Sequence, residues 1–526
     1  MAEAALSAGN AQARPANASL TDWIAVAAGS LGALLATLDI SITNSALPQI
    51  QGQIGATGTE GTWISTGYLM SEIVMIPLAA WLTRVFGLRR FLMCMAVLFT
   101  LFSMYCGMSE SLAGMIAGRI GQGFAGGAMI PTAQTIIRTR LPQHQLPIGM
   151  SVFGLTVLLG PLMGPVVGGW LTENASWRWC FFLNLPVSIA LVTLLWTGLK
   201  SDKLDLEQLF KADWLGIVGL TLGLSSLTVV LEEGQRERWF DSHMIIWLSL
   251  LTVLGFVLVT LGQLTAKRPI IRLSLMRNAN YASVILIVSV VGAGIYGISY
   301  LLPQFLGNVS GYNAQQAGSI MLLSGIPAFM LMPILPRLLG RYPARWLVSL
   351  GLALFCISCL LDVNLTADSV GHDFWGSQIL RGFAQILAMM PLNQASMSAV
   401  KAEEAGDAAG LYNMARNLGG SIGLALIGVL VDRREQYHDA VLRESVHANS
   451  TLVQDQMAAS TAAFLGRSGD LAHAQMQSLG QLAQTIAREA LVMTYGETFL
   501  LLGLALLACI PLALLLKTRK PQGNAR

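Results

Sequence analysis

The sequence predicts an all-α polytopic membrane protein with fourteen transmembrane helices, on three observations. Of 526 residues, 54% are hydrophobic and only 12% charged, a balance foreign to the roughly three or four soluble domains that this length would otherwise suggest. Apolar stretches of about 20 residues, enough to cross a bilayer core, recur along the chain. Arginines and lysines gather in alternate short connections, as the positive-inside rule demands of a multi-pass protein.

In order, the spans fall at 23–47, 61–83, 90–109, 112–136, 148–171, 179–199, 213–232, 243–265, 281–305, 315–339, 345–363, 373–397, 409–430 and 493–516, called spans 1 to 14 below. Residues 1–22 lack the basic start and short apolar core of a signal peptide and read as a short disordered tail. Arg84, Arg89 and Arg90 follow span 2, Arg138 and Arg140 follow span 4, and Lys200, Lys203 and Lys211 follow span 6. Lys267, Arg268, Arg272 and Arg277 follow span 8, Arg337, Arg341 and Arg345 surround the end of span 10, and Lys517, Arg519 and Lys520 follow span 14. An even number of spans puts both termini on one side, and the basic loops make that side cytoplasmic. The segment 431–492 is the one long loop, on the opposite side. Its Ala, Gln, Leu and mixed charges predict amphipathic helical pieces, either a solvated cap or a docking surface.

Spans 2 to 4 laid over spans 10 to 12 give a weak internal repeat. Ile76-Pro77-Leu78 with Gly87-Leu88-Arg89-Arg90 resembles Met332-Pro333-Ile334 with Gly340-Arg341, and Arg119, Gln122 and Pro131 find counterparts in Arg381, Gln385 and Pro391. Repeats of this kind build many transporters. The offset of eight spans implies a tail 1–22, a six-helix bundle 23–199, two inserted helices with linkers 200–280, a second six-helix bundle 281–516 that includes 431–492, and a tail 517–526.

Several function classes are excluded. A net charge of +3 gives no basic patch for nucleic acid. All six cysteines lie in or beside apolar stretches, and the Cys356-Ile-Ser-Cys359 pair inside span 11 reads as packing. Gly121-Gln122-Gly123-Phe124-Ala125-Gly126 fits G-x-G-x-x-G, but it lies within span 4 without a preceding strand. With no Walker lysine motif, no H-E-x-x-H and scattered histidines, the reading is neither an enzyme nor an ATP-driven pump, with no metal and no cofactor.

Ionisable residues at membrane depth mark ion or substrate pathways. Asp39 lies about 24 Å along span 1 and Arg119 about 10 Å below the same face in antiparallel span 4. At similar depth, Arg119 can hold the Asp39 carboxylate in one state and release it in another, whereas a purely structural buried pair is the alternative. Glu72, about 10 residues into span 2, falls near mid-membrane and is a second candidate for proton coupling or cation binding. Arg381 and Arg416 sit inside spans 12 and 13 with no acid of similar depth nearby in sequence. Asn413, Asn417 and Gln304 add polar groups to that half. In span 5, Gly160, Gly164 and Gly168 clear one face for a neighbouring helix, and Pro161 and Pro165 remove backbone donors and bend it.

These residues together resemble a known family. Leu38-Asp39-Ile40-Ser41-Ile42-Thr43-Asn44, Ala46-Leu47-Pro48 and Trp63-Ile64-Ser65-Thr66-Gly67-Tyr68 are similar to the first two spans of the fourteen-span drug:proton antiporters of the major facilitator superfamily, the EmrB/QacA group. Arg119-Ile120-Gly121-Gln122-Gly123 resembles its span 4 motif, and Gly160-Pro161 through Gly164-Pro165, Gly168 and Gly169 its antiporter motif. Trp177 to Pro186 and Arg416 to Gly423 also look like this group, and the long loop before the last span points to the EmrB branch.

The resemblance implies the superfamily's 6+2+6 helix arrangement and a proton-driven exporter of hydrophobic toxic compounds, working by alternating access in a cell inner membrane. Beside it stand the candidates read from the residues themselves, Asp39, Glu72 and Arg119 for coupling, and Asn44, Tyr68, Gln122, Gln304, Arg381, Asn413 and Arg416 around the cavity. The resemblance further implies a cytoplasmic loop motif, Arg84, Gly87, Arg89 and Arg90, in which Arg84 stands where the family usually has Asp. Its partners are small hydrophobic substrates, protons and membrane lipid, with a periplasmic adaptor and an outer-membrane channel implied by the branch. The alternatives are a dedicated exporter of one metabolite, such as a siderophore, fatty acid or antibiotic, and a non-transporting sensor or scaffold.

Overall fold

The computed structural model describes residues 17–200, 204–266, 269–447 and 450–516. The ends of the two tails, 1–16 and 517–526, with Lys203, Lys267, Arg268, Lys517, Arg519 and Lys520, lie outside the described residues. Every regular element among the described residues is helical, and each of the fourteen segments carries a helix or a broken run of helices. Eleven of these helices, or twelve with one bent pair, are long and apolar enough to cross a membrane. Span 4 falls short of that measure because it is broken into helices of 15 and 12 residues, and span 12 because its polar and glycine content dilutes it.

Span 1 is the helix Leu20–Ile54, started by a capping box in which Ser19 accepts from the Asp22 amide, and stopped by Gly55 at φ 72°. Span 2 is Trp63–Phe86 and span 3 is Leu88–Met108, with Gly87 at φ 78° making the sharp turn between them. Span 4 is two helices, Leu112–Gly126 and Met129–Arg140, rather than the single helix expected. Span 5 is Leu146–Asn174, and span 6 is Arg178–Phe182 followed by Asn184–Gly198.

The bend expected in span 5 leaves no break: Pro161 and Pro165 lie inside one continuous helix. Pro165 has no N–H for the Pro161 carbonyl, and the Ser41 hydroxyl of span 1 donates to that carbonyl instead at 3.2 Å. Gly160, Gly164 and Gly168 lie against Thr37, Ser41 and Ser45 of span 1, where any Cβ would collide.

Spans 7 (Trp214–Glu233) and 8 (His243–Thr265) form their own hairpin. A Cβ on Gly219 would lie 2.7 Å from the Gly255 carbonyl, so small residues set this close crossing. The outer face of span 8, including Trp247, Leu250 and Val253, is exposed and suited to lipid.

Span 9 is Ala279–Asn308. Span 10 breaks into Ala314–Leu322, Gly325–Leu331 and Leu335–Arg341, bent by 57° near Pro333 and Pro336. Span 11 is Ala344–Leu361 and span 12 is Trp375–Ser398. Span 13 runs from Ala405 to Ser445, and span 14 starts at Leu471, continues to Ala508 and ends in Ile510–Leu514. The expected loop 431–492 is therefore mostly helix: the ends of spans 13 and 14 project past the apolar core, and Thr451–Ser468 packs on the latter. Its Ala, Leu, Gln, Glu and Arg are good helix formers and continue the turns beyond the membrane.

Spans 1, 2, 3, 4, 5 and 6 pack among themselves, as do spans 9, 11, 12, 13 and 14, while span 10 joins span 12 and also touches span 5. The two groups meet at the end carrying Arg84 and Arg138, the basic end, where Gly410 of span 13 brings its backbone close to the Ile76 carbonyl of span 2. They meet again further along, where Gly325 of span 10 admits Leu162 of span 5. Span 7 lies across the seam, against both span 2 and span 13.

Candidate functional site

Helix start signals and small residues place the polar centre of the first group. Ser111 caps the first helix of span 4 by accepting from the Gly114 amide. Its glycines then let the backbone lie tight against neighbours: a Cβ on Gly126 would sit 2.5 Å from the Tyr68 hydroxyl, and one on Gly127 2.5 Å from the Glu72 carbonyl. The G-x-G-x-x-G run is a close-packing face of span 4, with Gly121 against Phe102 of span 3 and Gly123 and Gly126 against span 2.

This closeness delivers Arg119 to Asp39. The two form an ion pair with 1% of each side chain exposed. Asp39 Oδ1 also accepts from Gln122 Nε2 at 3.1 Å and from Asn184 Nδ2 at 2.6 Å. Asn184 reaches Ser103 at 2.9 Å, and Arg119 donates to Gln122 Oε1 at 3.1 Å. The guanidinium lies 4.3 Å over the Tyr68 ring. One carboxylate thus ties spans 1, 4 and 6 together, in the interior of the first group and sealed from water in this conformation. A charge so enclosed is tolerable only because cation and donors meet it together.

Glu72, 3% exposed, makes no hydrogen bond or ion pair among the described residues. Arg416 and Arg119 are the cations whose field reaches it. Span 2 packs on span 13 here, so Glu72 belongs to the seam between the groups. Arg416 donates to Asn417 Oδ1 at 3.3 and 3.2 Å, and Asn417 also accepts from the Tyr296 hydroxyl at 3.5 Å. Asn413 crosses the seam to Gln134 Oε1 at 2.8 Å.

The remaining cavity candidates have partners of their own. Arg381 has an acid partner after all: Asp362, just past the end of span 11, accepts from Nη2 at 2.7 Å with both side chains buried. Adjacent position in space, not in sequence, supplies that acid. Gln304 is exposed near the end of span 9 and accepts from Asn308 at 3.0 Å. Asn44 is exposed and accepts from Ser65 at 2.8 Å.

In the loop motif, Arg84 reaches Asp407 of span 13 at 2.9 Å, and Arg272 takes the other oxygen of Asp407 at 3.1 Å. Arg89 lies 4.1 Å over Trp196, and Arg90 is exposed. Asn184, Asp362 and Asp407 were not singled out by sequence. Asn184 stands within the Trp177 to Pro186 run and was legible there as a polar residue on an apolar span; the two acids read as loop or helix-end residues.

Residues 29–424 match the family described as the Major Facilitator Superfamily. The chain is 31% identical over 467 residues, 89% of its own length and of the relative's, to the colistin resistance protein EmrB of Acinetobacter baumannii. It is 31% identical over 473 residues, 89% of this chain and 90% of the relative, to the multidrug export protein EmrB of Escherichia coli strain K12. Among solved structures it resembles the human organic anion transporter MFSD10, with a TM-score of 0.58 at 14% identity, covering 92% of this chain and 99% of that one. A multi-pass helical fold with a broken span 4, a glycine-proline face on span 5 and this breadth of likeness places the chain in the major facilitator superfamily, in its EmrB branch.

Proposed function

We propose that the protein is a proton-driven multidrug efflux transporter that exports hydrophobic toxic compounds by alternating-access antiport. The single observation that carries the reading is the buried Asp39–Arg119 pair with Gln122 and Asn184 around it. Protonation of Asp39 from one side removes the charge that holds Arg119, and deprotonation towards the other side restores it. Glu72, at the seam, is the second coupling carboxyl. The bodies that rock are the bundles 23–199 and 281–516, with 200–280 inserted between them.

The basic end faces the cytoplasm by the positive-inside rule, both termini with it, in the inner membrane. The opposite, projecting helical hairpin exposes Met476 and Leu479 and is the place where a periplasmic adaptor leading to an outer-membrane channel docks. The driving force is adequate: about 2.3 kcal/mol per charge per 100 mV plus about 1.36 kcal/mol per pH unit supports roughly hundredfold accumulation.

Asp39→Asn keeps the side-chain shape and removes the titration. In proteoliposomes with an imposed pH gradient, wild-type protein moves ethidium against its gradient and the variant does not. Near-normal gradient-driven transport by the variant would remove Asp39 from the mechanism.

A further inference from the structure

The inserted span 7 presents two consecutive carboxylates to two different helices, because successive residues on a helix point about 100° apart. Glu233 is buried and faces span 2: its Oε1 accepts from Thr66 at 2.7 Å and from Thr62 at 3.4 Å, while Oε2 pairs with Arg236 at 2.7 Å. Glu232 is half-buried and faces span 13, where Oε1 accepts from the Ser421 hydroxyl at 2.8 Å. Unlike its neighbour it makes no ion pair among the described residues.

Below Ser421 the same face of span 13 continues as a polar stripe. Asn417 lies one turn deeper, bonded to Arg416 and to Tyr296 of span 9, and Asn413 lies a turn below that, bonded to Gln134. Residues four apart share a helix face. Arg416, Glu72 and Glu232 are each near enough to act on the Tyr296 hydroxyl, which links this cluster to both acids. Glu72 itself is buried without a hydrogen-bond partner among the described residues. Thr66, which holds the neighbour of Glu232, is six residues from Glu72 on span 2, about 9 Å along the axis, a gap of about three hydrogen-bond lengths.

We propose that Glu232 is the outer proton-uptake group of the transport cycle, which hands its proton along the Ser421, Asn417 and Tyr296 face of the seam to Glu72. This gives the inserted hairpin a part in coupling, and it rests on the antiport reading above. In the step, the Glu232 carboxylate takes a proton from outer hydronium and leaves water. The O–H then passes through the hydroxyls and intervening water to the Glu72 carboxylate, and Glu232 is ionised again. Of the charged or titratable groups around Glu232, Glu233 on its own segment and Tyr296 on span 9 are near enough to act on it. Arg236 pairs with Glu233 at 2.7 Å and offsets the charge beside Glu232.

The test uses the full-length protein in proteoliposomes oriented with the Glu232 end outward, with trapped pyranine to report proton movement and ethidium as cargo. Exchange of ethidium for protons by the wild type tests the antiport reading alone; its absence ends both claims. Glu232→Gln still accepts the Ser421 hydrogen bond, so a merely structural clasp is left intact. With exchange established, this variant lowers the initial proton flux about tenfold at outer pH 8 and recovers at outer pH 6, where protons reach Glu72 directly, and Glu232→Asp stays close to wild type. Asp39→Asn, by contrast, loses exchange at both values. A Glu232→Gln profile equal to wild type, or one slowed equally at both pH values, overturns the proposal while leaving the antiport reading standing.

Discussion

Arg381 and Asp362 are the clearest case of one residue's environment deciding its part. Both are buried, joined at 2.7 Å, and Nε and Nη1 of Arg381 have no partner among the described residues. Removing one member of such a pair leaves an uncompensated buried charge and costs about 3–5 kcal/mol, whereas replacing both by apolar residues is close to neutral. Arg381→Met therefore lowers the unfolding temperature in detergent, and Arg381→Met combined with Asp362→Leu restores it with transport retained. A stable, active single variant would contradict this assignment. The pair illustrates a limit of sequence reading: Arg381 was visible as an intramembrane cation, but an acid at the outermost turn of the span expected at 345–363 gave no sign that the fold would bring it to Arg381.

At the scale of elements, the contact of spans 1 and 5 depends on the absence of side chains at specific positions. Gly164 lies against Ser41 so closely that a Cβ collides with its hydroxyl, whereas Gly169, five residues on, has nothing within 4 Å. Gly164→Leu is expected to abolish transport and lower expression, and Gly169→Leu to leave both near wild type; equal tolerance of the two would break the packing argument. The glycine period predicted a close helix neighbour, and only the structure named span 1 and showed Ser41 meeting the carbonyl freed by Pro165. The projecting hairpin is a second element with its own expectation. Replacing residues 447–470 by a short flexible linker leaves ethidium transport in proteoliposomes intact and removes resistance in cells, the signature of a docking surface. Loss of both would assign it to folding instead.

For the whole molecule, the decisive feature is closure at the basic end. Arg84 of the first group and Arg272, beyond span 8, both reach Asp407 of span 13, and Arg138 donates to the Val400 carbonyl at 3.5 Å. The arginine standing where the family usually has an aspartate is thus answered by an acid on the other side of the seam. Arg84 is partly exposed, so solvent screening keeps the pair near about 1 kcal/mol. Arg84→Asp replaces attraction by repulsion and shifts the resting population towards an opened basic end by roughly fivefold. Spin labels at the exposed positions Thr139 and Lys401 read this as a longer-distance population in pulsed electron resonance; an unchanged distance distribution would show that the latch does not set the resting state.

Hydropathy, loop charge and spacing were enough to determine the helical membrane fold and to set Asp39 and Arg119 at similar depth, because each of these is written in local composition and in depth along a helix. Depth along a single helix does not say which faces meet. That is why Asn184 at the Asp39 carboxylate, Asp362 beneath Arg381, Asp407 opposite Arg84 and the two-sided reach of Glu232 and Glu233 were decided only by tertiary structure. Where the bilayer excludes water, a polar group's meaning is set by the partner brought to it, and that partner comes from a distant part of the chain.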